Sequence, residues 1–146
     1  RHQHPAARHL RPTARVSEGQ WLNQKWLATS AIDLSDGLSG DLRHLCEASQ
    51  VGAEVELEKL PISAACQAYG KAAGRSPVQL ALSGGEDYEL LFTAAPGSRS
   101  TIEQQARARG YRVTCIGTIR PKRFGIQMSS GGKRQPLPVT SYEHFH

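Results

Sequence analysis

Apolar residues recur along this chain at two spacings, and the switches between them divide it into short elements. Trp21, Leu22, Trp26 and Leu27 share one face of a helix that Ser17 can cap. Residues 30–34 read as a short strand. Leu38, Leu42, Leu45 and Cys46 return at helical spacing, with Ser35 or Asp36 placed to cap that helix and Gly52 to end the unit. Residues 53–57 alternate as a half-buried strand does. Ser63 opens a further helix that closes between Gly70 and Gly74. Residues 78–82 and 88–93 read as strands on either side of the polar loop Ser83-Gly84-Gly85-Glu86-Asp87. Pro96-Gly97 marks a turn, residues 100–109 a short helix ending at Gly110, and 111–117 and 124–128 two more strands before the glycine turn at 129–132. Hairpin-length and helix-length connections alternate, which predicts an α+β fold: a mixed β-sheet with packed helices.

Composition narrows the class. A length of 146 residues with 38% hydrophobic content suits one domain with one core. No apolar run approaches the ~20 residues of a membrane span, so no membrane partner is expected. Residues 1–16, with Pro5 and Pro12, read as an extended basic connector with no apolar signal region and no initiator Met, as in a fragment. Cys46, Cys66 and Cys115 are odd in number and widely spaced, against a disulfide scaffold or zinc site. Each sits in an apolar pattern and is expected as a buried thiol in a reducing cytoplasm.

The net charge of +5 is unevenly laid out: basic before residue 16, acidic from 17 to 103, basic beyond. A nucleic-acid binder could look so, but the basic residues are not interleaved with stacking aromatics. A solvated surface that attracts phosphorylated small molecules is the plainer reading.

Three constellations can carry chemistry. In Asp33-Leu34-Ser35-Asp36-Gly37-Leu38, a strand end and a helix start bring two carboxylates within three residues. Such a pair suits Mg²⁺, which takes a few carboxylates plus phosphate oxygens and water. The helix N-terminus favours an anion, and Ser35 adds a hydroxyl. An ordinary capping cluster explains the same residues, apart from Asp33. In Ser83-Gly84-Gly85-Glu86-Asp87-Tyr88-Glu89, two glycines allow close ligand approach and three acids crowd together, costly unless a cation or water meets them. A solvated turn is the alternative. The tail Ser141-Tyr142-Glu143-His144-Phe145 offers aromatic faces, for stacking or for simple docking. His2, His4 and His9 read as part of a leader, and His44 as surface. No GxxxxGK[ST] is present, which argues against a P-loop.

Taken together, the segments AIDLSDGLSGDLRHLCEASQVGAEVELEKLPIS and ALSGGEDYELLFT, with RPTARVSEGQWL before and CIGTI and YEHF after, resemble the thiamine-monophosphate kinase family over about residues 8–146. The resemblance implies that 17–146 is a C-terminal, AIR synthase-related (PurM-like, partly ferredoxin-like) domain, that 1–16 is an interdomain connector, and that an N-terminal ATP-binding and dimerisation domain is absent. It implies a bacterial cytoplasmic enzyme, homodimeric at full length, that passes the γ-phosphoryl of ATP directly to thiamine monophosphate with several Mg²⁺ ions. By the same resemblance Asp33 and Asp36 are magnesium ligands, Ser35 contacts ATP, and Glu86 and Tyr142 bind substrate. The fragment alone is then expected to be inactive. The competing readings are another ATP-dependent enzyme of the PurM superfamily, or a non-catalytic nucleotide or nucleic-acid binding module.

Overall fold

The computed structural model describes residues 13–138. Helix α1 (Val16–Gln24) stops sooner than its apolar spacing predicts. The Leu27 amide donates to the Leu22 carbonyl and the Trp26 amide to that of Asn23, the two bonds of a Schellman closure. Leu27 is thereby kept with Trp21 and Leu22 in the core. Trp26, at a left-handed φ of 52°, is turned out to 89% exposure. It leaves the expected apolar face because the helix has already ended. Ser17 does not cap α1 either: Arg15 holds the N-cap position, with no side-chain cap bond.

Strand β1 (Ser30–Asp33), helix α2 (Leu38–Ser49) and strand β2 (Val51–Glu56) follow. Leu38, Leu42, Leu45 and Cys46 are all buried, as their spacing requires. Left-handed Gln50 closes α2, so Gly52 does not end that unit but lies inside β2, where a Cβ would strike the Gly125 carbonyl. β2 is buried at four consecutive residues rather than alternating, because it is a central strand. Helix α3 (Ala64–Ala73) begins at Ser63, whose hydroxyl accepts from the Cys66 amide at 3.1 Å, and closes on left-handed Gly74.

Residues 78–82 are helical, not extended. They belong to α4 (Pro77–Ser83), whose cap Ser76 accepts from the Gln79 amide and whose Pro77 presets the first helical φ. A five-residue apolar run fits either state, and here the Ser-Pro start decides. Strand β3 (Leu90–Thr93) and helix α5 (Arg99–Arg109) fall where expected, with Gly110 as a left-handed cap. The strand expected at 111–117 is displaced: Tyr111 and Val113 pack onto a core instead of pairing, and β4 occupies Gly117–Pro121. Strands β5 (Ile126–Ser130) and β6 (Lys133–Pro136) form a hairpin whose Gly131 and Gly132 both take positive φ. Nothing in the apolar pattern predicts β6, a wholly exposed Lys-Arg-Gln-Pro edge of the kind that resists further pairing.

The strands make two sheets. β1 and β3 pair antiparallel, Ser30 opposite Thr93 and Asp33 opposite Leu90. The other sheet has the order β4-β2-β5-β6 and is mixed, with β2 and β5 parallel. One core joins Leu38, Leu42 and Cys46 of α2 to Ala53 and Val55 of β2 and Leu82 of α4. A second packs Trp21, Leu22 and Leu27 against Ile102 and Ala106 of α5, with the Trp21 indole donating to Gln105 at 3.1 Å. This is the α+β class the pattern predicts. Of the three free cysteines only Cys46 is buried, and burial pushes its thiol up; Cys66 is half-buried and Cys115 exposed, so the buried reading fails for those two.

Candidate functional site

The two glycine-containing motifs, 45 or more residues apart in sequence, are neighbours in space. β1 delivers Asp33 to its end, opposite Leu90. Beyond the strand the pairing continues irregularly. Leu34 donates to the Glu89 carbonyl, Tyr88 to that of Leu34 and Glu86 to that of Ser35, each at 2.8 Å. Glu86 and Tyr88 sit at left-handed φ of 65° and 48°, an uncommon geometry for side-chain-bearing residues and one that marks a constrained loop. Gly37, at φ 98°, completes the join: a Cβ there would lie 3.1 Å from the Gly84 carbonyl oxygen. Asp33 and Asp36 on one motif are therefore held beside Glu86 and Asp87 on the other.

Ser35 and Asp36 do not cap α2. The N-cap position is Gly37, with no side-chain cap bond. Instead the chain before the helix is held from within it: one carboxylate oxygen of Asp41 accepts the amide protons of both Ser35 and Asp36, each at 3.0 Å. Asp41 is 2% exposed. The apolar spacing of α2 gives no reason to single it out; its signal is an acid where the helix dipole favours one.

A second tie comes from Arg15, which grips Glu89 with Nε at 3.0 Å and Nη2 at 2.6 Å and reaches Glu18 at 3.3 Å. The bond to Glu89 holds the guanidinium firmly charged. One of the loop's three acids thus has its own countercharge. Asp87 has none among the described residues: although much of the residue is exposed, protein atoms crowded around its carboxyl, and then the like charge of Glu89, push that carboxyl above the usual carboxylate range. Asp33 is exposed and Asp36 half-buried, and neither has a basic side chain within ion-pair range among the described residues.

Among the described residues no three of His, Cys, Asp and Glu converge as a metal cage. Two outward carboxylates suit Mg²⁺ nonetheless, because it keeps waters and takes substrate phosphate oxygens for the rest of its shell. The donor chemistry fits that ion as an open, partial site. One hollow of about 380 Å³ lies on α5 and another of about 240 Å³ lies between α1 and β1, and neither is lined by the motif pair. His44 is exposed on α2, as expected, and Tyr142 lies outside the described residues.

Residues 3–128 match the family described as AIR synthase related protein, C-terminal domain. The chain is 41% identical over 138 residues to the thiamine-monophosphate kinase of Escherichia coli K12, across 94% of this chain and 41% of that protein. It is 43% identical over 141 residues to that of Haemophilus influenzae, across 94% and 42%. The fold aligns with a solved structure of AaThiL complexed with AMPPCP and TMP at a TM-score of 0.76 and 32% identity, over 99% of this chain and 43% of that one. The chain thus spans about two-fifths of the length of the curated relatives it matches.

Proposed function

The chain belongs to the family of AIR synthase related proteins through their C-terminal domain, and on that premise we propose that it supplies one half of the active site of an ATP-dependent thiamine-monophosphate kinase. The reaction moves the γ-phosphoryl of ATP to thiamine monophosphate, giving thiamine diphosphate and ADP. The observation that carries this reading is the main-chain join between the two motifs. It sets acids suited to a hard cation beside an acidic loop suited to a cationic ring. The named relatives and the complex with AMPPCP and TMP support it.

In this reading Asp33 and Asp36 hold Mg²⁺, and Ser35 offers its hydroxyl to the nucleotide. Bound magnesium supplies charge neutralisation on the phosphate oxygens. Phosphoryl transfer asks chiefly for alignment and charge stabilisation, so no protein nucleophile is required. Glu86 presents a carboxylate to the thiazolium ring, and Tyr142 adds an aromatic face for that cation. A preceding domain of the same chain, filling the length found in the relatives, contributes the rest of the ATP site and the homodimer contact. The chain alone is then inactive. The compartment is a bacterial cytoplasm, a reading that three free cysteines support.

The test is ADP release by a full-length protein carrying this chain, with Mg²⁺ and ATP, with and without thiamine monophosphate. Release that requires thiamine monophosphate and yields thiamine diphosphate supports the proposal. Release indifferent to it overturns the substrate assignment in favour of another ATP-dependent enzyme of the same superfamily.

A further inference from the structure

Asp41 is buried without a basic partner among the described residues, and its two recorded side-chain bonds go to consecutive backbone amides outside its own helix. A buried carboxylate is costly unless amides satisfy it, so this placement fixes the amides as much as it satisfies the acid. Those amides belong to Ser35 and Asp36, the turn between β1 and α2. The Asp36 Cβ packs back over the helix start, 3.6 Å from where a Cβ on Gly40 would stand. Asp33 is fixed independently by its register with Leu90. The join to the 86–89 loop engages the Leu34 amide and the Leu34 and Ser35 carbonyls; the amides of Ser35 and Asp36 are the ones Asp41 holds.

We propose that Asp41 is a positioning residue: its carboxylate sets the backbone at Ser35 and Asp36 so that the Asp33 and Asp36 carboxylates face a divalent cation together before the cation arrives. This rests on the functional reading above as to which cation and reaction are served. The positioning itself does not depend on the substrate. Asp41 acts by accepting two hydrogen bonds, not by lending charge to the metal. An asparagine at 41 keeps an oxygen able to accept both amide protons; an alanine keeps none.

The experiment compares Asp41→Asn and Asp41→Ala in the full-length protein carrying this chain, with Mn²⁺ as the probe, by paramagnetic broadening of the backbone amides of residues 33–36, alongside circular dichroism. Asp41→Ala should weaken Mn²⁺ binding about 10- to 100-fold, the range seen when a group orienting a metal ligand is removed, while Asp41→Asn stays within about threefold of wild type. The Ser35 and Asp36 amides should exchange with solvent faster in Asp41→Ala only. In the full-length protein, Asp41→Ala should raise the Mg²⁺ concentration for half-maximal rate by a similar factor and leave the KM for the phosphate acceptor at saturating Mg²⁺ nearly unchanged.

Equal loss in both variants would overturn the proposal in favour of direct ligation by Asp41. A lower melting temperature in Asp41→Ala with wild-type Mn²⁺ affinity would overturn it in favour of a purely structural acid. If Asp41→Ala does not fold, Asp41→Ser takes its place in both comparisons. Should wild type prove inactive on thiamine monophosphate, the kinase reading fails while the Mn²⁺ titration still decides the role of Asp41.

Discussion

Glu54 and the acids of the motif pair are carboxylates of one small domain placed under opposite conditions. Glu54 is buried in the central strand β2, and Arg134 reaches it at 2.6 Å and Arg120 at 2.8 Å, with the Phe124 ring beneath both guanidinium groups. Hydrogen bonds from Arg134 and then Arg120 hold its carboxyl below the usual carboxylate range. At the other site Asp33 and Asp36 face outward with no such partner among the described residues, and Asp87 is held above that range. The first acid brings its own countercharge and serves the sheet. In the second group Asp87 spends stability on its ionised form, a cost of the kind found at functional sites. Backbone geometry adds a further constraint at the motif pair, where Glu86, Tyr88 and Gly37 all take positive φ.

The largest expected effect separates the two regions by function. In a full-length protein, Asp36→Asn should cut the phosphoryl-transfer rate by about a hundredfold or more without lowering the melting temperature, on the scale of removing a preorganised electrostatic group. Glu86→Gln should raise the KM for thiamine monophosphate more than that for ATP. Wild-type kinetics in both variants would erase the contrast.

Next in size is Gly37→Ala, which puts a Cβ at a positive φ and against Gly84. It should cost about 1–3 kcal/mol in urea unfolding and reduce activity at the same time, because it strains the join between the motifs.

Glu54→Gln should lower the melting temperature at neutral pH while leaving the rate per folded molecule unchanged. The folded carboxyl titrates below its unfolded value, so its contribution is complete above the ordinary carboxylate range and is lost as pH falls through the folded value. The melting curves of wild type and variant should therefore converge in acid.

The smallest effect carries the opposite sign. The Asp87 carboxyl is raised on folding, so its ionised form opposes folding at neutral pH, and Asp87→Asn should raise the melting temperature slightly. That gain should vanish below the ordinary carboxylate range, where both states are protonated. A gain that persists in acid would mean the carboxyl's charge is not its cause.

What could be read from the sequence follows the same division. The α2 core face was legible because Leu38, Leu42, Leu45 and Cys46 repeat at a helical period that burial enforces. Asp33 at a strand end and the acidic glycine loop were legible because their residue types are unusual for plain structure. Their adjacency was not, since it rests on main-chain bonds at 34–35 and 86–89 that no side-chain pattern announces. Asp41 escaped for a related reason: it caps backward, out of the helix, where sequence habits look for a cap before it. Trp26 was misplaced because periodicity cannot see the left-handed closure that ends α1. β6 was invisible because an exposed edge strand needs no apolar alternation.

The most direct test of the account is transfer of label from γ-labelled ATP into thiamine diphosphate, measured side by side for the full-length wild type, Asp36→Asn and Glu54→Gln at matched folded concentration. The account expects label in wild type and Glu54→Gln and almost none in Asp36→Asn. Equal labelling in all three would show that Asp36 is not part of the reacting site, and no labelling in wild type would contradict the kinase reading itself.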